Sequence, residues 1–171
     1  MKGLSFYTMS NYENHTHQFE PVYNQNSKIL ILGTFPSVKS REQKFYYGHP
    51  RNRFWKVLAA LTHSNVPTSI AEKKALLLGN HIAIWDVIQS CDIIGSADTS
   101  IKNVVPADIP YLLAHSPIQT IYGNGAKACQ LYDKYILPQT NMPIITLPST
   151  SPANAAFTLE RLIHDWSVIL F

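Results

Sequence analysis

The chain alternates short apolar runs with longer stretches in which apolar residues recur every three or four positions. Lys28-Ile29-Leu30-Ile31-Leu32 is apolar almost throughout and stops at Gly33, as a strand buried on both faces requires. Residues 81–85, 118–122 and 143–147 read as three more strands. Phe54, Trp55, Leu58 and Leu61 fall at helical spacing and predict a helix starting near Pro50. Ser69-Ile70-Ala71-Glu72 has the capping-box pattern and opens a helix that ends at Gly79. Further helices are predicted over 108–114, 126–135 and about 157–170. Strands alternating with helices predict parallel pairing with right-handed crossovers, hence an α/β three-layer sandwich around a central four-stranded parallel sheet.

Composition bounds this picture without redirecting it. With 171 residues, 46% hydrophobic and 15% charged, the chain fits one globular domain over 1–171 with a polar N-terminal arm over about 1–26. Cys91 and Cys129 are far apart and form no ligand spacing, and His15 with His17 lacks further ligands, so neither a metal nor another cofactor is expected. The first twenty residues lack the apolar core of a signal peptide, and no apolar run reaches membrane-spanning length. A soluble cytoplasmic protein, nucleoid-associated if bacterial, is therefore expected, with no membrane partner and a monomeric state. A net charge of +3 and a pI near 8.8 permit a polyanionic partner and equally suit an ordinary small domain.

The unusual residues follow the predicted strands. Gly33-Thr34-Phe35-Pro36-Ser37, Asp86, Gly123-Asn124-Gly125 and Pro148-Ser149-Thr150-Ser151-Pro152 each come directly after one. Loops at the carboxyl ends of parallel strands converge on one edge of the sheet, so four loops should meet at one cleft. Gly123, Asn124 and Gly125 with Lys127, and Ser149 with Ser151, suit phosphate through backbone N–H groups and hydroxyls; ordinary turns and caps use the same residues. The connection from 33 to 52 carries Phe45, Tyr46 and Tyr47, then His49, Arg51, Asn52 and Arg53. Aromatics beside basic and amide groups suit a pocket that stacks a base, although either Tyr could pack on the core while the arginines are solvated.

Ile31-Leu32-Gly33-Thr34-Phe35-Pro36-Ser37, followed by Tyr46-Tyr47-Gly48-His49-Pro50-Arg51-Asn52-Arg53-Phe54-Trp55-Lys56, resembles the uracil-DNA glycosylase superfamily. The hypoxanthine-DNA glycosylase branch is the most similar, and the mismatch-specific uracil/thymine enzymes are related. Leu147-Pro148-Ser149-Thr150-Ser151-Pro152-Ala153-Asn154 resembles the second active-site loop of that superfamily, and the likeness spans about 17–171. Two positions depart from the uracil-specific pattern. Phe35 stands where an Asp positions water, and Leu147 where a His stabilises the leaving base. A hydrocarbon does neither, so the uracil-specific mechanism is excluded at both points. The hypoxanthine branch is similar to this chain in both replacements, and there the catalytic amide is the Asn of His-Pro-x-Asn.

The resemblance implies a monofunctional DNA glycosylase that flips and hydrolytically excises a deaminated base, hypoxanthine first, from DNA, leaving an abasic site. Asn52 would position the attacking water through its amide carbonyl, or else only cap the helix behind it. Tyr47 would stack on the flipped ring, with Phe35 and His49 also at the base, although His49 followed by Pro50 also suits a role in fixing the loop. Asp86 would accept the N1–H of hypoxanthine and reject adenine, which presents an acceptor there; a turn or helix cap is the other reading. Thr150 and Asn154 would form a small duplex wedge, or cap the last helix. Two alternatives accompany this assignment: a broad uracil/mismatch-specific DNA glycosylase, and a non-catalytic nucleic-acid-binding module on the same fold.

Overall fold

A computed structural model describes residues 11–170 of the chain. At its centre lie four parallel strands: β2 (Ile29–Gly33), β3 (Ile82–Asp86), β6 (Thr120–Asn124) and β7 (Ile144–Leu147), in the order β3-β2-β6-β7. These are the four strands predicted from the apolar runs. Every residue of β2 is buried because alternate side chains serve opposite faces. Ile29 and Ile31 join Phe54, Trp55, Leu58, Leu77, Leu162 and Trp166 on one side, beneath α2 (Phe54–Leu61), α3 (Ile70–Gly79) and α7 (Leu159–Trp166). Leu30 and Leu32 join Val87, Ile109, Leu112, Ala128 and Tyr132 on the other, against α4 (Ile109–Ala114) and α5 (Ala126–Tyr135). The arrangement has the three layers expected.

A second sheet was not visible in the sequence. β1 (Glu13–Thr16), β4 (Ile88–Ile93) and β5 (Lys102–Pro106) pair antiparallel in the order β1-β4-β5. β1 is polar and mostly exposed, and the β4–β5 pairing is broken by two register shifts, so neither offers a clean period-two pattern. The expected polar arm over 1–26 therefore needs correction from residue 13 onward. Glu13 pairs with Ile93, Thr16 with Ser90, His17 is buried, and Val22 bridges Ile84; residues 1–10 lie outside the described range. Two short helices were also missed, α1 (Val38–Gln43) and α6 (Leu137–Thr140). α2 begins at Phe54 rather than near Pro50, because residues 47–52 form a turn in which Tyr47 takes a left-handed φ of 52°. No helix among the described residues is long and apolar enough to cross a membrane.

Candidate active site

The carboxyl ends of the parallel strands open onto a cleft of about 360 Å³. Its walls include Phe35, Tyr47, His49, Asn52, Asp86, Asn124, Ser149, Thr150 and Ser151, so nine of the thirteen expected site residues meet there. Gly125 and Asn154, with Ser149 and Ser151, line a shallower groove beside it. Gly123 and Lys127 line neither.

Asp86 ends β3 and is 4% exposed, and it caps no helix. Its Oδ2 is 2.8 Å from Nε2 of His17, itself buried, and its Oδ1 faces Gly33, where a Cβ would lie 2.4 Å from it. Only glycine fits at that position, because a side chain on Gly33 would displace the carboxylate. Tyr47 stands next to it. Its ring stacks on Phe54 with centroids 3.9 Å apart and 18° between planes, which gives a rigid aromatic wall. Burial first, and then the Asp86 charge, pushes the phenols of Tyr46 and Tyr47 upward, so both stay neutral at any physiological pH.

Asn52 is held by a relay of side chains. Its Oδ1 accepts the N–H of Phe54 at 2.9 Å and the hydroxyl of Thr150 at 2.8 Å. The hydroxyl oxygen of Thr150 in turn accepts Nδ2 of Asn124 at 2.9 Å, while the Thr150 N–H donates to Oδ1 of Asn124 at 3.0 Å. A backbone N–H can only donate, so the Asn52 amide cannot be turned over, and both lone pairs of its oxygen are taken. The expected use of the Asn52 carbonyl toward water is therefore corrected: Nδ2 is the edge left for a ligand. The capping alternative holds in part, since Asn52 does satisfy an N–H at the start of α2.

Other expected roles change in the same way. Thr150 is wholly buried and cannot enter a duplex. Asn154 turns its amide back onto the carbonyl of Ser149 at 3.0 Å, which leaves Pro152 and Ala153 at the loop tip. Neither caps the last helix, a task that falls to Thr158. Gly123 is a packing residue, because a Cβ there would lie 2.2 Å from Sγ of Cys129. The N–H of Gly125 is spent on the carbonyl of Leu147 at 2.9 Å, and no side chain caps α5, which leaves the first-turn N–H groups of Ala126 and Lys127 without a capping side chain. Ser149 and Ser151 accept N–H groups within their own loop and keep their O–H protons for a ligand. His49 accepts the N–H of Arg51 at Nδ1, which shapes the turn and puts the ring proton on Nε2.

Three residues in or around the site were missed or left open by sequence reasoning. His17 sat in a stretch that reads as polar arm, and its partner is 69 residues away. Arg53, one of a pair of arginines that reads equally well as solvated, ties the second loop to α2. Its guanidinium donates to the carbonyls of Ser151 at 2.9 Å, Asn154 at 3.0 Å and Phe157. Asp98, an exposed residue, reaches the cleft rim from the excursion between β4 and β5; partial desolvation by its neighbours and then the Asp86 charge raise its pKa, against the pull of the Thr34 hydroxyl and Lys127. Among the described residues no three His, Cys, Asp or Glu side chains gather as metal ligands would.

The family model for the uracil DNA glycosylase superfamily matches residues 20–167, a span that contains every cleft residue named above but not His17, which lies behind Asp86. The chain belongs to that superfamily. A protein from Methanosarcina acetivorans named hypoxanthine DNA glycosylase is 34% identical over 153 residues, covering 88% of this chain and 95% of its own. A protein of the same name from Methanosarcina barkeri is 32% identical over 112 residues, covering 64% and 71%. The solution NMR structure of a candidate uracil DNA glycosylase from Methanosarcina acetivorans superposes with a TM-score of 0.76 at 32% identity, over 88% of this chain and 93% of that one. The superfamily fold is thus the one that the sequence predicted.

Proposed function

We propose that this DNA glycosylase, working as a monomer on DNA, extrudes a nucleotide carrying hypoxanthine and hydrolyses its N-glycosidic bond, leaving an abasic site. The observation that carries the reading is Asp86: a buried carboxylate in the cleft wall, beside Tyr47, with one oxygen taken by His17 and the other, against Gly33, without a hydrogen bond among the described residues. Hypoxanthine presents an N1–H to that oxygen, whereas adenine presents a lone pair and is repelled. Guanine shares the N1–H, but its stable pairing with cytosine makes it costlier to extrude than a mispaired hypoxanthine. The two relatives named as hypoxanthine DNA glycosylases support the same base.

The flipped base would lie against Tyr47, whose far face is already packed on Phe54. Ser149, Ser151 and the start of α5 would hold the flanking phosphates. Bond cleavage through an oxocarbenium-like sugar needs a water that is placed rather than strongly activated. Nδ2 of Asn52, fixed by Thr150 and Phe54, would hold that water by donating to its oxygen. Phe35 and Leu147 would keep the site dry. No step calls on a metal or another cofactor.

A panel of duplexes containing hypoxanthine, uracil, xanthine or ethenocytosine, assayed under single turnover, tests the assignment. Hypoxanthine should be released fastest, and Asn52→Ala should lower its rate at least about 100-fold while DNA binding stays near wild type. Release of uracil in preference to hypoxanthine would reassign the enzyme to a broad uracil/mismatch activity, and release of none of them to a binding module.

A further inference from the structure

We propose that His17 is a positioning residue for base selectivity: by donating Nε2–H to one oxygen of Asp86, it dedicates the other oxygen to accepting a proton from the flipped base. The inference rests on the reading of Asp86 given above. His17 follows β1, and its own N–H is anchored to the carbonyl of Gln89 at 2.7 Å, so the ring is held by the second sheet rather than by the sheet that bears Asp86. The imidazole is enclosed by aromatic rings, with centroids 4.4 Å from Phe19, 5.8 Å from Tyr46 and 6.2 Å from Phe35. Nδ1 is buried and has no hydrogen-bond partner among the described residues. A proton placed there would have no acceptor, whereas one on Nε2 has Asp86 at 2.8 Å.

Two consequences follow for the carboxylate. It cannot rotate, because Oδ2 is pinned and Oδ1 sits against Gly33 with no room for a Cβ. It also has a single task left, since no hydrogen bond engages Oδ1 among the described residues and Asp86 lines the cleft. Without the His17 donor, the two oxygens become equivalent and the acceptor that the base meets is no longer fixed. Phe35 then has a second duty besides lining the cleft, as one wall of the dry cage around His17. The proton moves nowhere in this scheme. His17 touches no substrate and acts only through Asp86.

The test uses the full chain with His17→Leu, which keeps bulk and removes the donor, and His17→Gln, whose amide nitrogen reaches about as far as Nε2. Single-turnover excision of hypoxanthine is expected to fall about 10- to 100-fold in His17→Leu and to stay within about fivefold of wild type in His17→Gln, the range for hydrogen bonds to charged groups. Binding to a duplex with an abasic-site analogue, which lacks the base, should stay within about twofold in both. Equal losses in the two variants, or no loss in His17→Leu, would overturn the inference. If His17→Leu does not fold, His17→Asn, polar but too short to reach Asp86, takes its place with the same expected loss. Asp86→Asn separates the two levels of the argument: full hypoxanthine excision in that variant removes the reading of Asp86 itself, whereas a collapse there beside an unaffected His17→Leu removes only the role given to His17.

Discussion

Thr150→Val is the sharpest probe of the relay that holds Asn52 and of the role proposed for it. The two side chains have nearly the same shape, and the site is wholly buried, so packing changes little while the hydroxyl disappears. Two hydrogen bonds go with it: the one donated to Asn52 and the one accepted from Asn124. At about 1 kcal/mol each, with about 1 kcal/mol more for the stranded Asn124 amide, the expected loss of stability is about 2–3 kcal/mol. Kinetics should respond separately. Asn52 keeps only the contact with Phe54, its amide is free to swing, and misplacement of a bound water is expected to lower single-turnover excision about 10- to 100-fold. Urea denaturation measures the first quantity and quenched-flow release of base the second. Thr150→Ser is the control: it keeps the hydroxyl, gives up a methyl group at about 1 kcal/mol, and should excise within about threefold of wild type. If Thr150→Val excises as fast as Thr150→Ser, the hydroxyl does not hold Asn52 and the relay has no catalytic meaning.

Two further outcomes are expected. Gly123→Ala should destabilise the fold by about 1–3 kcal/mol and be relieved by adding Cys129→Ala, with DNA affinity unchanged; weaker DNA binding without loss of stability would return Gly123 to the phosphate site. Asp98→Asn should raise the melting temperature above about pH 5 and leave it unchanged near pH 3. The sign follows from the raised pKa: above the ordinary value of 3.8 the unfolded chain ionises freely while the folded chain ionises reluctantly, so folding is penalised only once the carboxyl is charged. Because Asp98 is exposed, the rise should be small, and a melting temperature lower than wild type at pH 7 would show that the Thr34 and Lys127 contacts outweigh partial desolvation.

What the sequence revealed and what it concealed divide along a physical line. Ile29 to Leu32 are apolar without a break because both faces of β2 are covered, and that signature needs no knowledge of partners. The loops after β2, β3, β6 and β7 converge because parallel strands share a direction, so the cleft was legible from order alone. Side-chain direction was not. Thr150 lies in a run of Ser and Pro that reads as exposed surface, yet it is buried because Asn124 and Asn52, 26 and 98 residues away, bracket it. Asn52 does line the cleft, but which atom of its amide faces it depends on those same distant donors. β1 concealed His17 for the opposite reason: a polar strand at the margin of a sheet has no apolar face to announce it.

Arg53 links the beginning of the site to its end, and this governs when the enzyme can exist. The carbonyls it grasps lie 97 to 104 residues downstream. At roughly 5–20 residues per second, a ribosome needs about 5–20 s to cover that gap. Throughout that interval the Asn52 turn has nothing to close against, and β6, once made, waits with an open edge until β7 follows. Activity should therefore arrive in one step, only after the second loop has been made. A message broken shortly before codon 150 would yield an inert chain rather than a weakened glycosylase.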